Sequence, residues 1–340
     1  MISKKKIIVI VGILCLVLLG GCGKKEETTK TVMYEFGDSV VTYGEFYIYA
    51  RTIQEDYQKT YGEGVWDLEL NSDDGSKSMT DITIEDIVED INRVKVMVSK
   101  SEEMNVKLSD EEKDEAKQQA QQFYDGLTHK DIDLAELDLD TVVTVIEENM
   151  IASKVYDKVI ADCDFEISDE EARMTTFYDI VFECYEEKKD GTIEEFSEEK
   201  KDLQYEKANE ALSSLAQDDD VTYESIVDKY NLKYSNSYTM KKSDIVDEYG
   251  ETIADKILSL SEGEVSSVIK SDYGYHIFKM INPNDEELTK KNKAEIVEQM
   301  QKDYFDDIYA KWEKKYDAHF SVETDVNGDL LKQFPFQDVK

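Results

Sequence analysis

Histidine, proline and cysteine are scarce in this chain of 340 residues, which contains 3, 2 and 4 of them. The three histidines stand far apart at 129, 276 and 319, with no HExxH and no CxxC motif, so the sequence predicts no metal site and no cofactor. The two prolines, at 283 and 335, leave room for long uninterrupted helices. Four cysteines are too few for a disulfide framework.

Positive charge is also scarce, since 40 Lys and Arg stand against 78 Asp and Glu and the formal net charge is −38. Such a surface repels phosphates, so we expect no nucleic-acid partner. It can attract basic polypeptides, although a need for solubility alone would also account for it. Aromatic residues make up 10% of the chain, which is more than a disordered acidic chain contains.

The first residues have the pattern of an export signal. Lys4, Lys5 and Lys6 precede an apolar stretch at 7–19, which is too short to span a membrane comfortably. Leu-Gly-Gly-Cys, ending at Cys22, resembles the bacterial lipoprotein box.

We therefore predict a lipoprotein signal peptide at 1–21 and a lipidated tether at 22–31, with acylated Cys22 in the lipid membrane. This places the protein on the extracytoplasmic face of a bacterial membrane. The alternative is an ordinary signal anchor in which Cys22 has no role.

Two cysteines, Cys163 and Cys184, remain in the body of the chain. The sequence leaves open whether they form a disulfide or stay as two free thiols.

Helical periodicity dominates residues 32–170, which we assign to one region. A hairpin is predicted at 32–41, and Thr42 is predicted to cap the next helix with Glu45 in a capping box. Residues 62–80 are polar and predict a loop. Further helices are predicted at 83–104, 109–127 and 140–160 from apolar residues spaced three and four apart.

Residues 171–283 change character and are assigned to a second domain. Strands are predicted at 175–184, 234–242, 265–269 and 273–281, and helices at 193–217, 222–230 and 245–259. The order β-α-α-β-α-β-β predicts an α+β fold with an antiparallel sheet. A last helix is predicted within 284–324, and residues 325–340 are expected to form a loose tail.

Residues 258–281 contain His276 among turns and short strands. Gly263 opens a Gly-Glu-Val-Ser sequence, and Tyr-Gly-Tyr directly precedes His276. This segment resembles the last third of the parvulin-type peptidyl-prolyl isomerases. Residues 36–46 and 106–112 resemble the helical chaperone region of extracytoplasmic members of that family. The resemblance implies a parvulin-like domain inserted into a helical chaperone region, on which the C-terminal helix packs.

The resemblance also implies a set of site residues. His276 matches the second of two histidines in the family, whereas Asp179 stands where the first is expected. We hypothesise that Asp179 hydrogen-bonds His276 and fixes its tautomer. The family's apolar proline pocket has no clean match here. Its candidate residues are Met240, Ile253 and Leu258, with Ile245 and Tyr249 as further candidates.

The expected function is that of a membrane-anchored extracytoplasmic foldase, a peptidyl-prolyl cis–trans isomerase that assists exported proteins. Its partners would be unfolded or partly folded exported polypeptides. The alternative is a non-catalytic chaperone whose parvulin domain has lost its activity. A solute-binding lipoprotein is disfavoured, because that class alternates strands and helices in two lobes. A homodimer stays open, since amphipathic helices pair between chains as readily as within one.

Overall fold

The structure is a computed structural model that describes residues 30–72, 75–161, 163–217 and 222–336. The predicted signal peptide, most of the tether and Cys22 lie outside these ranges. Within the described ranges, no helix combines the length and the apolar character needed to cross a membrane. The chain divides into two compact units. One contains the described residues up to Cys163 and from Asp303 onward, and the other is Asp164–Lys302.

The first unit is mostly helical, as predicted. Its strands are β1 (Val32–Phe36), β2 (Ser39–Thr42), β3 (Glu69–Ser72) and β4 (Gly75–Ser78). Its helices before Cys163 are α1 (Tyr43–Tyr61), α2 (Met79–Ser101), α3 (Asp110–Gly126), α4 (His129–Ala135) and α5 (Leu139–Ile160), with a 3₁₀ turn at Glu63–Asp67. The apolar faces of α1, α2 and α5 meet in one core. The hairpin β3–β4 lies where a loop was predicted, and α4 was not predicted.

The helix caps predicted for this unit are present in the structure, except at one position. Ser109 and Glu112 form a reciprocal capping box at the start of α3. Thr42 accepts a hydrogen bond from the Glu45 amide at the start of α1. The prediction that Glu45 completes a box was wrong, because its buried carboxylate lies 2.7 Å from the ammonium of Lys95. Burial raises the pKa of Glu45, and the charge of Lys95 opposes that rise.

The second unit contains the antiparallel sheet. In chain order it contains α6 (Asp169–Ala172), β5 (Met174–Glu183), β6 (Tyr185–Glu187), β7 (Ile193–Glu195), α7 (Glu198–Gln217), α8 (Tyr223–Tyr230), β8 (Asn236–Lys241), α9 (Lys242–Tyr249), α10 (Glu251–Leu258), β9 (Ile269–Lys270) and β10 (Gly274–Asn282). The sheet order is β8-β5-β10-β9, and all neighbours are antiparallel. The α+β prediction is confirmed. Strand β7, which forms a hairpin with β6, occupies the start of the predicted helix 193–217.

Alternation along the strands gives the sheet two different faces. One face presents Phe177, Phe278 and Met280 to an apolar cluster with α9 and α10. The other presents Ile180 and Ile277 to a cluster with α7 and α8. Asp179 is two positions from Phe177 along β5, and His276 is two positions from Phe278 along β10. Both therefore lie on the face that packs against α9 and α10.

The predicted helix 245–259 is two helices, because Gly250 separates α9 from α10. Its φ of +76° lies in the left-handed region that favours glycine. The two cysteines of the body are free thiols, with Cys163 half-buried and Cys184 buried. Burial raises the pKa of the Cys184 thiol.

The C-terminal part contains α11 (Glu286–Tyr316), α12 (Val322–Asp325) and α13 (Gly328–Leu331). The expectation of a loose tail from 325 was wrong for the described residues. Phe334 and Phe336 are buried in the core of the first unit. The ring of Phe336 lies 4.9 Å from that of Trp66, and the side-chain amide of Gln54 donates to the Phe336 carbonyl at 2.8 Å.

Candidate active site

The structure brings Asp179 and His276 together across strands β5 and β10. Phe278 pairs with Asp179 and His276 pairs with Val181, so the two site residues are diagonal neighbours on one face. The Nδ1 atom of His276 lies 3.0 Å from each carboxylate oxygen of Asp179. The two residues are 4% and 3% exposed. A charge this deeply buried is stable only when hydrogen bonds satisfy it, and His276 provides one of them.

Ser271 contacts the other nitrogen of the ring. Its Oγ lies 2.8 Å from Nε2 of His276, and it accepts hydrogen bonds from the amides of Tyr273 (3.0 Å) and Gly274 (3.3 Å). Because these amides occupy its lone pairs, the hydroxyl is left to donate its proton to Nε2. In this arrangement Nδ1 of His276 donates its proton to Asp179. Both edges of the ring are therefore fixed.

The hydrogen bonds from Ser271 to His276 to Asp179 also connect the residue types of a Ser-His-Asp catalytic triad. A serine nucleophile needs a free lone pair, and an oxyanion hole needs N–H groups directed at the substrate. Here two backbone N–H groups are directed at the serine oxygen itself. The arrangement positions the histidine and does not activate the serine.

Tyr249, the last residue of α9, makes the remaining contact with the carboxylate. Its hydroxyl donates to Asp179 Oδ2 at 3.2 Å. Its ring meets His276 edge to face, with centroids 5.9 Å apart, and it meets Phe278 in the same way at 5.4 Å. Burial, and then the charge of Asp179, raise the pKa of Tyr249 well above its usual value. The hydroxyl therefore remains a donor.

The predicted pocket residues lie in the apolar cluster of this face. Ile253 is buried in α10, whereas Met240 on β8 and Leu258 at the end of α10 are half-buried against the cluster. Ile245, the further candidate on α9, is fully buried. Whether the proposed residues hold a proline ring stays a prediction. Among the described residues, no group of three or more His, Cys, Asp and Glu side chains could hold a metal ion.

Two glycines in the sequence motif around His276 have structural roles. Gly274 passes so close to β5 that a Cβ atom there would stand 2.2 Å from the carbonyl oxygen of Phe182. Gly263 has a φ of +78° and begins a segment that also bonds to β10. In that segment Ser266 accepts a hydrogen bond from the Phe278 amide at 2.9 Å. The two glycines therefore allow β10 to be held from both sides, which fixes the position of His276.

Residues 184–290 match the family described as the PPIC-type PPIase domain. This segment contains His276 and all the pocket candidates, and it begins just after Asp179. By this match, the segment is similar to the parvulin-type domains, the class of peptidyl-prolyl cis–trans isomerases. The predicted resemblance is confirmed, and the match supports isomerase activity.

Over most of its length the chain is PrsA-like. It is 25% identical over 307 residues to the foldase protein PrsA of Clostridium perfringens, and the match covers 82% of each chain. Two crystal structures are also similar. The peptidylprolyl isomerase PrsA from Bacillus cereus is 18% identical, with a TM-score of 0.31, and the match covers 79% of this chain and 98% of that one. The foldase PrsA from Lactococcus lactis is 13% identical, with a TM-score of 0.31 and coverages of 89% and 98%.

The sequence interpretation missed two residues of the site. Ser271 was not singled out, although its place five residues before His276, across a tight turn, was a usable signal. Tyr249 was considered only as a pocket residue. Its hydroxyl contact joins residues 70 positions apart, which no local pattern reveals.

Proposed function

We propose that this protein is a membrane-anchored extracytoplasmic foldase whose second unit isomerises X-Pro peptide bonds. The observation that carries the proposal is the fixed Asp179–His276 pair on the apolar face of a parvulin-type sheet. The PrsA-like relatives support it.

The reaction needs neither a nucleophile nor a cofactor. Rotation of the peptide bond meets a barrier of roughly 18–20 kcal/mol, because the planar amide is stabilised by resonance. An enzyme lowers this barrier when it binds the twisted amide more tightly than the planar one. In our proposal the apolar cluster around Ile253 holds the proline ring and excludes water. The Asp179–His276 pair provides a fixed polar edge that orients the amide.

The anchor and the clients belong to the same proposal. The basic n-region, the apolar stretch at 7–19 and Cys22 support export and lipidation. The net charge of −38 would keep the protein soluble and would favour basic client segments. Unfolded exported polypeptides are therefore the proposed partners.

One observation favours the alternative of a non-catalytic chaperone. His276 and Asp179 are 4% and 3% exposed, so a peptide reaches them only if the covering side chains move. If they never move, the second unit serves only as a scaffold.

The test is the refolding of a model protein whose slow phase is limited by X-Pro isomerisation. The full chain should accelerate that phase, and His276→Ala should lose the acceleration. His129→Ala, the same change at an exposed histidine of the first unit, should retain it. Suppressed aggregation without acceleration would support the chaperone alternative, and the absence of both effects would overturn both readings.

A further inference from the structure

Residues 334–336, which we call the strap, fill a slot in the first unit. The rings of Phe334 and Phe336 are buried there. The centroid of Phe334 lies 5.0 Å from that of Tyr47, and the centroid of Phe336 lies 4.9 Å from that of Trp66. The slot therefore accepts two aromatic side chains that are one residue apart.

Gln54 provides the polar part of the slot. Its side chain is fully buried, and its amide nitrogen donates to the carbonyl oxygens of Pro335 and Phe336, each at 2.8 Å. Its amide oxygen accepts from the guanidinium of Arg51 at 2.9 Å, which fixes the side of the amide that faces the strap. The slot thus recognises two backbone carbonyls, which any peptide provides, beside two aromatic rings, which few peptides provide.

The strap has the shape of a tight turn. The amide of Phe336 donates to the carbonyl of Phe334 at 3.1 Å, and the two rings lie 4.6 Å apart. Pro335 stands between them, and its fixed φ restricts the free peptide, so less entropy is lost on binding. The bound shape is an aromatic–proline–aromatic turn.

The slot is not suited to standing empty. Without a peptide, the buried amide of Gln54 would lose both of its acceptors, and a buried donor without an acceptor is unfavourable. The indole nitrogen of Trp66 has no hydrogen-bond partner among the described residues, although the side chain is 2% exposed. The slot therefore favours the exchange of one peptide for another.

We infer that the slot is a peptide-binding site, separate from the candidate active site, which the strap occupies until a client segment displaces it. The segment would have the chemistry of the strap, two aromatic residues flanking a proline. The inference rests on the proposed function for the existence of such clients. Lys332 and Gln333, which join the strap to α13, are exposed, so the strap can withdraw without unwinding a helix.

The strap competes with a client as a tethered ligand. A segment on a short linker acts at an effective concentration in roughly the millimolar range. A free peptide with the same contacts therefore displaces half of the straps only near that concentration. Removal of the two strap rings removes the competitor, and the peptide should then bind about a hundredfold more tightly.

The test titrates the capped peptide Gln-Phe-Pro-Phe-Gln into the full chain and follows the indole N–H signal of Trp66 by NMR. In the combined Phe334→Ala and Phe336→Ala variant, the Kd should be about a hundredfold lower than in the wild type. Lys332→Ala combined with Gln333→Ala is the control, because it changes exposed residues of the same segment and leaves the strap rings in place. It should keep the wild-type Kd.

Two further comparisons test the recognition itself. Gln54→Leu, added to the variant without strap rings, should raise the Kd about tenfold, because the peptide carbonyls lose their donor. The peptide Gln-Ala-Pro-Ala-Gln should bind to none of the variants. A Kd that is equal in the wild type and in the variant without strap rings would overturn the inference.

The wild type provides an independent measurement, which is decisive if the loss of two buried rings unfolds the double variant. Millimolar Gln-Phe-Pro-Phe-Gln should accelerate hydrogen exchange at 332–336, because the displaced strap is exposed to solvent. Unchanged exchange there would overturn the inference.

The slot and the isomerase proposal fail in different ways. A peptide that shifts the signals of His276 but not the indole signal of Trp66 binds only to the second unit, and the slot is then overturned. A peptide that displaces the strap in a chain with no isomerase activity leaves the slot standing and overturns the catalytic proposal.

Discussion

The carboxylate of Asp179 is the acceptor on which the candidate site depends. It receives the Nδ1 proton of His276 and the hydroxyl proton of Tyr249. Hydrogen bonds to charged groups contribute about 1.5–3 kcal/mol each. Asp179 therefore fixes the tautomer of His276 from one edge of the ring, as Ser271 does from the other.

Replacing Asp179 with Asn should lower the isomerisation rate by about tenfold or more. An amide is uncharged and can present its NH₂ group to Nδ1, which would leave His276 free to take the other tautomer. The measurement is the rate with a proline peptide, together with the ¹⁵N shifts of the His276 ring. Asp272→Asn, at an exposed position in the adjacent turn, is the control. Wild-type rate and unchanged shifts in Asp179→Asn would contradict the assigned role.

Lys95 is the central residue of a buried ion cluster in the first unit. Its ammonium lies 2.7 Å from Glu45 and 2.6 Å from Glu148. Lys95→Met leaves the carboxylate of Glu45 buried without a cation, so the free energy of unfolding should fall by about 3–5 kcal/mol. Denaturant unfolding of the full chain measures this change. In Lys95→Met combined with Glu45→Gln, much of the loss should be recovered, and a double variant no more stable than the single would contradict this account.

The same cluster predicts a pH dependence. The pKa of Glu45 is raised in the folded chain, so the folded state holds this proton more tightly than the unfolded state does. The contribution of Glu45 to stability is therefore lost as the pH rises through the folded pKa, and it is regained below that value. The deficit of Lys95→Met relative to wild type should accordingly shrink on acidification.

Strand β10 can lie close to β5 because Gly274 has no side chain. A Cβ atom there would stand 2.2 Å from the carbonyl oxygen of Phe182, so the strands would have to move apart. Gly274→Ala should destabilise the second unit by roughly 1–3 kcal/mol and shift the NMR signals of His276. Gly126→Ala, where a Cβ meets no heavy atom within 4 Å, should do neither. Equal stability of the two variants would show that β10 does not depend on this close approach.

The C-terminal segment contributes to the core of the first unit. Phe336 packs on Trp66 and Phe334, with centroids 4.9 and 4.6 Å away. Phe336→Ala should lower the free energy of unfolding by about 3–5 kcal/mol, whereas Leu68→Ala, at an exposed position, should cost less than about 0.5 kcal/mol. A loose tail would give no difference between them in denaturant unfolding.

At the scale of elements, the sequence predicts the long helices whose apolar residues recur at a regular spacing. The α2, α5 and α11 helices have apolar residues at helical spacing, and the structure confirms them. Hairpins β3–β4 and β6–β7 are short and polar, so neither alternation nor an apolar run marks them. Phe334 and Phe336 flank a proline in a stretch too short for periodicity. Their burial depends on partners far away in the chain.

At the scale of the whole molecule, the domain class could be predicted from one contiguous segment, 258–281. The site could be predicted only in part. Asp179 and His276 were expected to meet because the family resemblance aligned them, although they are 97 positions apart. The contact between Tyr249 and Asp179 had no such guide, because the resemblance implied only a pocket role for Tyr249. Contacts between residues this far apart in the chain become visible only in the folded structure.

The central claim is that the second unit isomerises X-Pro bonds through the Asp179–His276 pair. The most direct measurement is the cis–trans exchange rate of a short X-Pro peptide, measured by NMR exchange spectroscopy with the full chain. Because the peptide does not fold, chaperone action cannot change this rate. The account predicts faster exchange with the wild type and with His129→Ala, and the uncatalysed rate with His276→Ala. Uncatalysed exchange with the wild type, or acceleration that survives His276→Ala, would contradict it.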